Sequence, residues 1–308
     1  MAGGYHIPVL GPLVREMLIS REDGVYYDGT LGGGGHAELI LSKLSSRALY
    51  IGVDRDAEAL EYSKKRLARF SNVIYYHGNY NDFSGALQRA GVEKLDGILL
   101  DFGLSSHQID NGERGFAFNT DAPLDMRMNR EDRLTAADIL NQYSLNDLTN
   151  VFRKYGEEKF SRRIAHRIVK TRTQRPLKRS DDLTLLIDSC TPFKMRVKTY
   201  ARIFQALRIE VNEELSIIED TLTESLNFLN AGGRVIAISY HSLEDRIVKE
   251  FFKREENPCN CPPEIPYCVC GKKPRIKRIK PYLIRPGEEE ISINSRARSA
   301  KMRVGERV

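Results

Sequence analysis

The feature that most limits how this chain can fold is the alternation of its first hundred residues. "GVYYDGT" (24–30), "ALYIGVDRD" (48–56), "NVIYYHGNY" (72–80) and "LDGILLDFG" (95–103) are apolar or β-rich runs that end in turn chemistry. Between them "AELILSKLS" (37–45), "AEALEYSKKRLARF" (57–70) and "FSGALQRAGV" (83–92) carry apolar residues at helical spacing. A β-α-β-α-β-α-β order predicts a parallel sheet with right-handed crossovers. The pattern breaks at 105–132, where turn residues dominate and the length is one usually kept for function. Helices are predicted at 134–142, 145–155, 157–172, 181–189 and 199–212, with Ser144 and Asp147 marking one helix start. "EELSIIEDTLTESLNFLN" (213–230) is amphipathic, "RVIAISYHS" (234–242) reads as a buried strand and "LEDRIVKEFFK" (243–253) as a helix. The expected fold is therefore α/β. One Rossmann-like domain is made from 1–108 and 213–308, and an all-helical domain is inserted at 109–212. The 308 residues suit roughly two domains of about 150.

Gly32 to Gly35 stand between the first strand and the first helix of that pattern. Glycine loses more backbone freedom on ordering than any other residue, so four in a row imply that something must approach bare backbone. In an α/β sheet that place is where ligands bind. Asp54 ends the second strand, 22 residues after Gly32, where an acid accepts hydrogen bonds from ribose hydroxyls. The predicted ligand contains a nucleoside. Gly32, Gly34 and Ala37 also satisfy G-x-G-x-x-[GA], which suits nicotinamide or flavin cofactors, while the absence of a following G-K-[ST] excludes a P-loop. Asp28 precedes the loop by four residues, giving D-x-x-x-G-x-G. That pattern resembles the first motif of S-adenosylmethionine (SAM) methyltransferases, where the acid orients the charged amino-acid end of the cofactor. Asp101 closes the fourth strand beside Phe102 and Gly103, where such enzymes place the residue facing the methyl acceptor.

Net charge is +6 with a pI of about 9.0. From Val151 to Arg208 there are 16 Lys/Arg against 5 Asp/Glu, and from Gly271 to Val308 there are 12 against 4. Such blocks are either solvated helical surfaces or a footprint for a polyanion, and two of them in one chain favour nucleic acid. No apolar run reaches the ~18 residues of a membrane span, and the N-terminus lacks the features of a signal peptide. A cytoplasmic protein with no membrane partner is expected. Five cysteines do not make a disulfide scaffold in a chain of this size. "CNCPPEIPYCVCG" places Cys259, Cys261, Cys268 and Cys270 in two C-x-C pairs. Four thiolates suit tetrahedral zinc, although C-x₂₋₄-C is the usual spacing. Structural zinc and four free thiols in a proline-rich loop both remain open. The second is the reading adopted, with no metal ligand assigned.

Ten blocks through nearly the whole chain resemble, in order, the bacterial rRNA small-subunit methyltransferase H family, also called MraW. They are "HIPVL" (6–10), "DGTLGGGGHAELIL" (28–41), "IGVDRDAEAL" (51–60), "DGILLDFGLSSHQID" (96–110), "RGFAF" (114–118), "PLDMRM" (123–128), "YGEEKFSRRIA" (155–165), "FQALRIEVNEEL" (204–215), "ISYHSLEDRIVK" (238–249) and "NSRARSAKMR" (294–303). The resemblance implies transfer of a methyl group from SAM to the exocyclic N4 of one cytidine in the decoding region of 16S rRNA. The fold it implies is a Rossmann-like methyltransferase domain with a helical insertion that binds the RNA. The implied partner is 16S rRNA or the small ribosomal subunit, not DNA. The implied cofactor site is Gly34, Gly35 and His36 in the loop, Asp54 on the ribose, Tyr80 on the adenine side, and Asp101 with Gln108. Two departures are mild: Gly33 stands at a variable position, and Tyr240 stands where relatives have phenylalanine in "SFHSLEDR".

Asp101 is the candidate proton acceptor, with Ser105 and Ser106 nearby in sequence; the competing reading is that Asp101 only binds the cofactor. Methylation at carbon 5 would need a cysteine nucleophile, and the fourth strand has none. Arg114, Phe116, Phe118 and Arg127 are candidates to hold a flipped base. The alternative for both phenylalanines is packing of the inserted domain. Tyr240, His241 and Ser242 are expected at the pocket, unless His241 is a structural hydrogen-bonder. Arg162, Arg163, Arg167, Lys170, Arg172, Arg296, Arg298 and Arg303 are phosphate candidates.

Overall fold

The computed structural model describes residues 8–103, 114–262 and 267–308. They fall into two compact units, Met1–Gly103 with Leu215–Val308, and Leu104–Glu214.

The first unit is built on a seven-stranded sheet. Its strands are β1 (Val25–Asp28), β2 (Leu49–Asp54), β3 (Val73–His77), β4 (Leu95–Asp101), β5 (Leu229–Ser239), β6 (Ile276–Arg278) and β7 (Lys301–Arg307), in the order β3-β2-β1-β4-β5-β7-β6. The first five are mutually parallel, and β7 runs antiparallel to both β5 and β6. The four N-terminal strands and the strand after residue 233 match expectation. The pair β6–β7 does not appear in the sequence reading. Between β4 and β5 the register jumps from Leu95↔Leu229 to Gly97↔Arg234. The extra residues around Gly232 form an irregularity before the ladder resumes, and Gly232 has φ +77°.

Side chains alternate across a strand, so a sheet covered on both faces needs apolar residues at consecutive positions. Tyr26, Tyr50, Leu99, Ile236 and Ile238 lie in one core, beneath α1 (Gly11–Leu18) and α2 (Gly35–Leu41), with Leu60 of α3 (Ala57–Arg66). Tyr27, Ile51, Val53, Ile98, Leu100, Val235 and Ala237 lie in the other. That second core is completed by α4 (Phe83–Ala90) and by the helices Glu214–Phe228 and Ser242–Glu256. The crossover helices are set by local chemistry: the Asp56 and Asp82 side chains accept the N–H groups of Glu58 and Gly85 to start α3 and α4.

The second unit is helical, with α5 (Ala136–Gln142), α6 (Leu145–Lys154), α7 (Ser161–Arg172), α8 (Ser180–Cys190) and α9 (Arg196–Asn212). Ser144 caps α6 by accepting from Asp147 N–H, as its sequence predicts. Ile164, Ala165 and Ile168 of α7 meet Leu148, Val151 and Phe152 of α6 and Ile203, Phe204 and Leu207 of α9 in one core. The helices after this unit are α10 (Glu214–Phe228), α11 (Ser242–Glu256) and α12 (Glu288–Ile293). No helix of the described residues is long and apolar enough to cross a membrane.

Candidate functional site

The carboxyl ends of β1, β2 and β4 bring three aspartates together. Asp28 is 1% exposed. Its Oδ1 accepts the Thr30 N–H at 3.1 Å, a local turn made by an aspartate and the residue two on. Its Oδ2 accepts the Tyr50 hydroxyl at 2.8 Å. The Thr30 hydroxyl in turn accepts the Asp101 N–H at 2.7 Å. Thr30 thus couples the end of β1 to the end of β4, a role the sequence reading missed; the "DGT" turn was the available signal.

Asp54 fastens the glycine loop. Its Oδ2 accepts the Gly32 N–H at 2.7 Å and its Oδ1 accepts the Asp56 N–H at 2.8 Å. Each oxygen keeps a second lone pair for a ligand. Gly34 has φ +74° and precedes the first turn of α2. A side chain there would be strained, and its Cβ would sit 3.3 Å from Leu67 Cδ1. Gly35 opens α2 beside it. His36 is 8% exposed, and its Nε2 lies 2.9 Å from the Val9 carbonyl. A carbonyl only accepts, so Nε2 carries the proton and Nδ1 is left 3.8 Å from Asp101 Oδ2. Tyr80 follows β3; its ring meets Phe102 edge-on at 5.8 Å, and its carbonyl accepts the Tyr27 hydroxyl at 2.9 Å.

Asp101 Oδ1 is buried with no hydrogen-bond partner among the described residues. The Tyr240 hydroxyl donates to the same carboxylate. Burial raises the pKa of Asp101, opposed by His36 and the Tyr240 bond. Burial pushes Asp28 up to about 6 against the pull of His36 and the Tyr50 and Thr30 bonds, with Asp101 adding to the rise. Asp54 is likewise pushed up to about 6 by burial, against its two N–H donors, with Asp56 and Asp28 adding to the rise. Asp28 is thus in repulsion with both Asp101 and Asp54 in a poorly solvated place. Such a site favours a ligand that brings positive charge, and disfavours the pyrophosphate of a dinucleotide.

Gln108, Ser105 and Ser106 lie outside the described residues. Two other expected residues are occupied within the fold. His241 caps α11 in a reciprocal pair with Glu244, whose Oε2 accepts the Tyr240 and His241 N–H groups. It is the structural hydrogen-bonder of the two readings. Arg303 is 9% exposed and gives its Nε to Asp245 at 2.8 Å and its NH1 to the Tyr282 carbonyl. It is an internal tie, not a phosphate ligand.

Within the helical unit, Phe118 packs against Tyr200 and Phe204 at 5.6 and 6.0 Å between centroids, and Phe116 joins the same core. Arg172 NH1 donates to the Leu140 carbonyl. Arg127 makes a two-pronged pair with Asp125 and reaches the Arg130 and Asp132 carbonyls. Arg162, Arg163, Arg167 and Lys170 stand exposed on the face of α7 opposite its core residues. A cavity of about 550 Å³ in this unit is lined by Arg114, Arg127, Arg130 and Arg179 together with Asp121 and Asp125.

The profile of the MraW methylase family matches residues 4–308. The chain is 48% identical over 301 residues to "Ribosomal RNA small subunit methyltransferase H" of Clostridium botulinum (strain Loch Maree / Type A3), covering 97% of each protein. It is 49% identical over 304 residues to the protein of that name from Caldicellulosiruptor bescii, covering 98% of this chain and 99% of the relative. With the one from Halothermothrix orenii it shares 45% identity over 306 residues, 98% of each.

Proposed function

This chain belongs to the MraW methylase family, and from that premise we propose how its residues transfer a methyl group from SAM to the exocyclic N4 of one cytidine in the decoding region of 16S rRNA. The observation that carries the reading is the buried, unpartnered Asp101 Oδ1 at the carboxyl end of β4. It lies beside a glycine loop held open by Asp54.

The residues present fit SAM. Three clustered carboxylates, with Asp28 repelled by the other two and Asp28 and Asp54 pushed up to about 6, suit a ligand that carries an ammonium and a sulfonium. When bound, SAM supplies an electrophilic methyl group on a positively charged sulfur. Asp54 holds the ribose hydroxyls with the lone pairs that Gly32 and Asp56 leave free. Gly34, Gly35 and His36 line the loop side, and Tyr80 stands against the adenine.

The N4 amine of cytosine is conjugated with its ring and is a poor nucleophile. Asp101 accepts a hydrogen bond from it, aligns it with the methyl carbon and takes the proton it sheds. That proton leaves as the nitrogen lone pair forms the N–C bond and the carbon–sulfur pair stays with sulfur. Burial raises the pKa of Asp101, which makes it a stronger base than an ordinary aspartate. The helical unit receives the RNA, with Arg162, Arg163, Arg167 and Lys170 on phosphates; such contacts position the strand without reading its sequence.

Incubating the protein and SAM with 16S rRNA from a strain lacking the gene, as naked RNA and as 30S particles, tests the reading. Nucleoside mass spectrometry should find N4-methylcytidine in at least one substrate. Its absence from both would overturn the proposal.

A further inference from the structure

The connector between α11 and β6 runs for 19 residues and holds no helix or strand among its described residues. Connections this long without structure of their own are uncommon in compact domains. Its far end is fastened to the helix it left. Arg275 N–H donates to the Glu255 carbonyl at 2.9 Å, Arg275 Nε to Glu255 Oε2 at 2.7 Å and Arg278 Nε to Glu256 Oε2 at 2.6 Å. Among its described residues, the large apolar side chains Tyr267 and Val269 are 81% and 74% exposed and give it little hold.

The four cysteines of this connector nevertheless converge. The sulfurs of Cys259, Cys261, Cys268 and Cys270 all lie within 4.8 Å of one another. Cys268 Sγ is 3.5 Å from both Cys259 Sγ and Cys270 Sγ. A disulfide would require about 2.05 Å. Thiolates at about 2.3 Å from a tetrahedral zinc stand roughly 3.8 Å apart, within the 3.5 to 4.8 Å range of these sulfurs. Thiol–thiol hydrogen bonds are too weak to gather four exposed or half-exposed cysteines from two separate C-x-C pairs. Backbone N–H groups also point at the sulfurs: Val269 N–H at Cys261 Sγ, 3.4 Å, and those of Lys272 and Asn260 at Cys270. Such donors steady negative sulfur in metal–thiolate sites. Lys272 and Lys273 follow the last cysteine directly, offsetting the double negative charge of a zinc held by four thiolates.

We propose that Cys259, Cys261, Cys268 and Cys270 bind one structural zinc ion that closes this connector into a rigid knuckle. The C-x-C spacing, short for a zinc site, is accommodated because each pair supplies one edge of the tetrahedron. A four-thiolate site leaves no position for water, so the ion does no chemistry in methyl transfer. It supplies the order that the connector's few buried side chains do not.

The test is metal analysis of the full-length protein, purified without a metal-affinity step from medium with no added zinc. About one zinc per chain, released when the thiols are titrated with a mercurial, is the expected result. Zinc below about a tenth per chain with four reactive thiols, a Cys259–Cys268 disulfide, or stoichiometric iron with visible absorption would each overturn it. Cys268→Ser should lose the zinc, speed proteolysis within 257–275 at least about tenfold and leave SAM affinity within about threefold. That last readout shows that the variant is folded. A folded Cys268→Ser that keeps full zinc and protease resistance would also refute the site.

Discussion

At the end of β1, Asp28 has a protein partner on each oxygen, the Thr30 N–H and the Tyr50 hydroxyl, and is 1% exposed. At the end of the neighbouring β4, Asp101 receives the Tyr240 hydroxyl and keeps Oδ1 buried without a partner. The two carboxylates are of one type, in adjacent parallel strands, with Thr30 touching both. One has both oxygens occupied by the fold, and the other keeps one oxygen without a partner. A native structure tolerates few unpaired buried polar atoms, so the contrast supports the proposal that Asp28 holds the pocket and Asp101 works in it.

The strongest test of the contrast is to remove each carboxylate in turn. Asp101→Ala should lower kcat by about 10²–10³-fold, and because it also strands the Tyr240 hydroxyl it should cost about 1–3 kcal/mol of stability. Asp28→Ala should cost a similar amount, roughly 1–3 kcal/mol, by stranding the Tyr50 hydroxyl, with a far smaller loss of kcat. Methyl-incorporation kinetics and denaturant melts of both variants check this, and equal loss of kcat in the two would erase the distinction. An effect on SAM affinity of at least about a hundredfold is expected for Gly34→Val, whose φ of +74° excludes a branched side chain. Gly33→Ala should stay within about threefold by the same calorimetric titration.

A smaller effect follows from pH. Asp28 and Asp54 have folded-state pKa values raised to about 6, so each binds its proton more tightly in the folded chain than in the unfolded one. The stability they contribute is full below the ordinary aspartate range and is lost as pH climbs through about 6. A cationic ligand favours the ionised forms. SAM binding should therefore weaken by roughly tenfold for each such group between pH 7 and pH 5, while these groups make the free protein more stable. Affinity that is flat across that window would remove Asp28 and Asp54 from the ligand's surroundings. The smallest change is expected from Tyr240→Phe. Losing a hydrogen bond that lowers the Asp101 pKa should move the acid limb of the kcat/KM profile to higher pH, with the neutral-pH rate within about threefold. An unmoved limb would mean that the hydroxyl only packs.

Much of this was legible in the sequence because it rests on local periodicity. The strands up to residue 101, the crossover helices, the Ser144 cap and the places of Gly34, Asp54 and Asp101 follow from apolar spacing and turn chemistry. The strand Lys301–Arg307 did not, because its lysine and arginines read as a basic surface. In the fold Lys301 and Arg303 both pair with Asp245, 56 and 58 residues away, and the charge is satisfied inside the unit. The roles of Thr30 and Tyr50 were hidden for the same reason. A partner 22 residues off, as Tyr50 is from Asp28, leaves no periodic trace. His241 looked like a pocket residue, yet the Glu three positions on was a capping-box signal in plain view.

The slot that β7 fills between β5 and β6 also sets a clock on biosynthesis. The ladder pairs Ser239 with Lys301, so the outer edge of β5 is made 62 residues before the strand that covers it. At about 5–20 residues per second, a nascent chain carries that bare edge for roughly 3–12 seconds, open to pairing with any other strand nearby. Over that interval the yield of soluble protein depends on translation speed downstream of β5. Slowing the codons for 240–300 should lower it without changing a single residue.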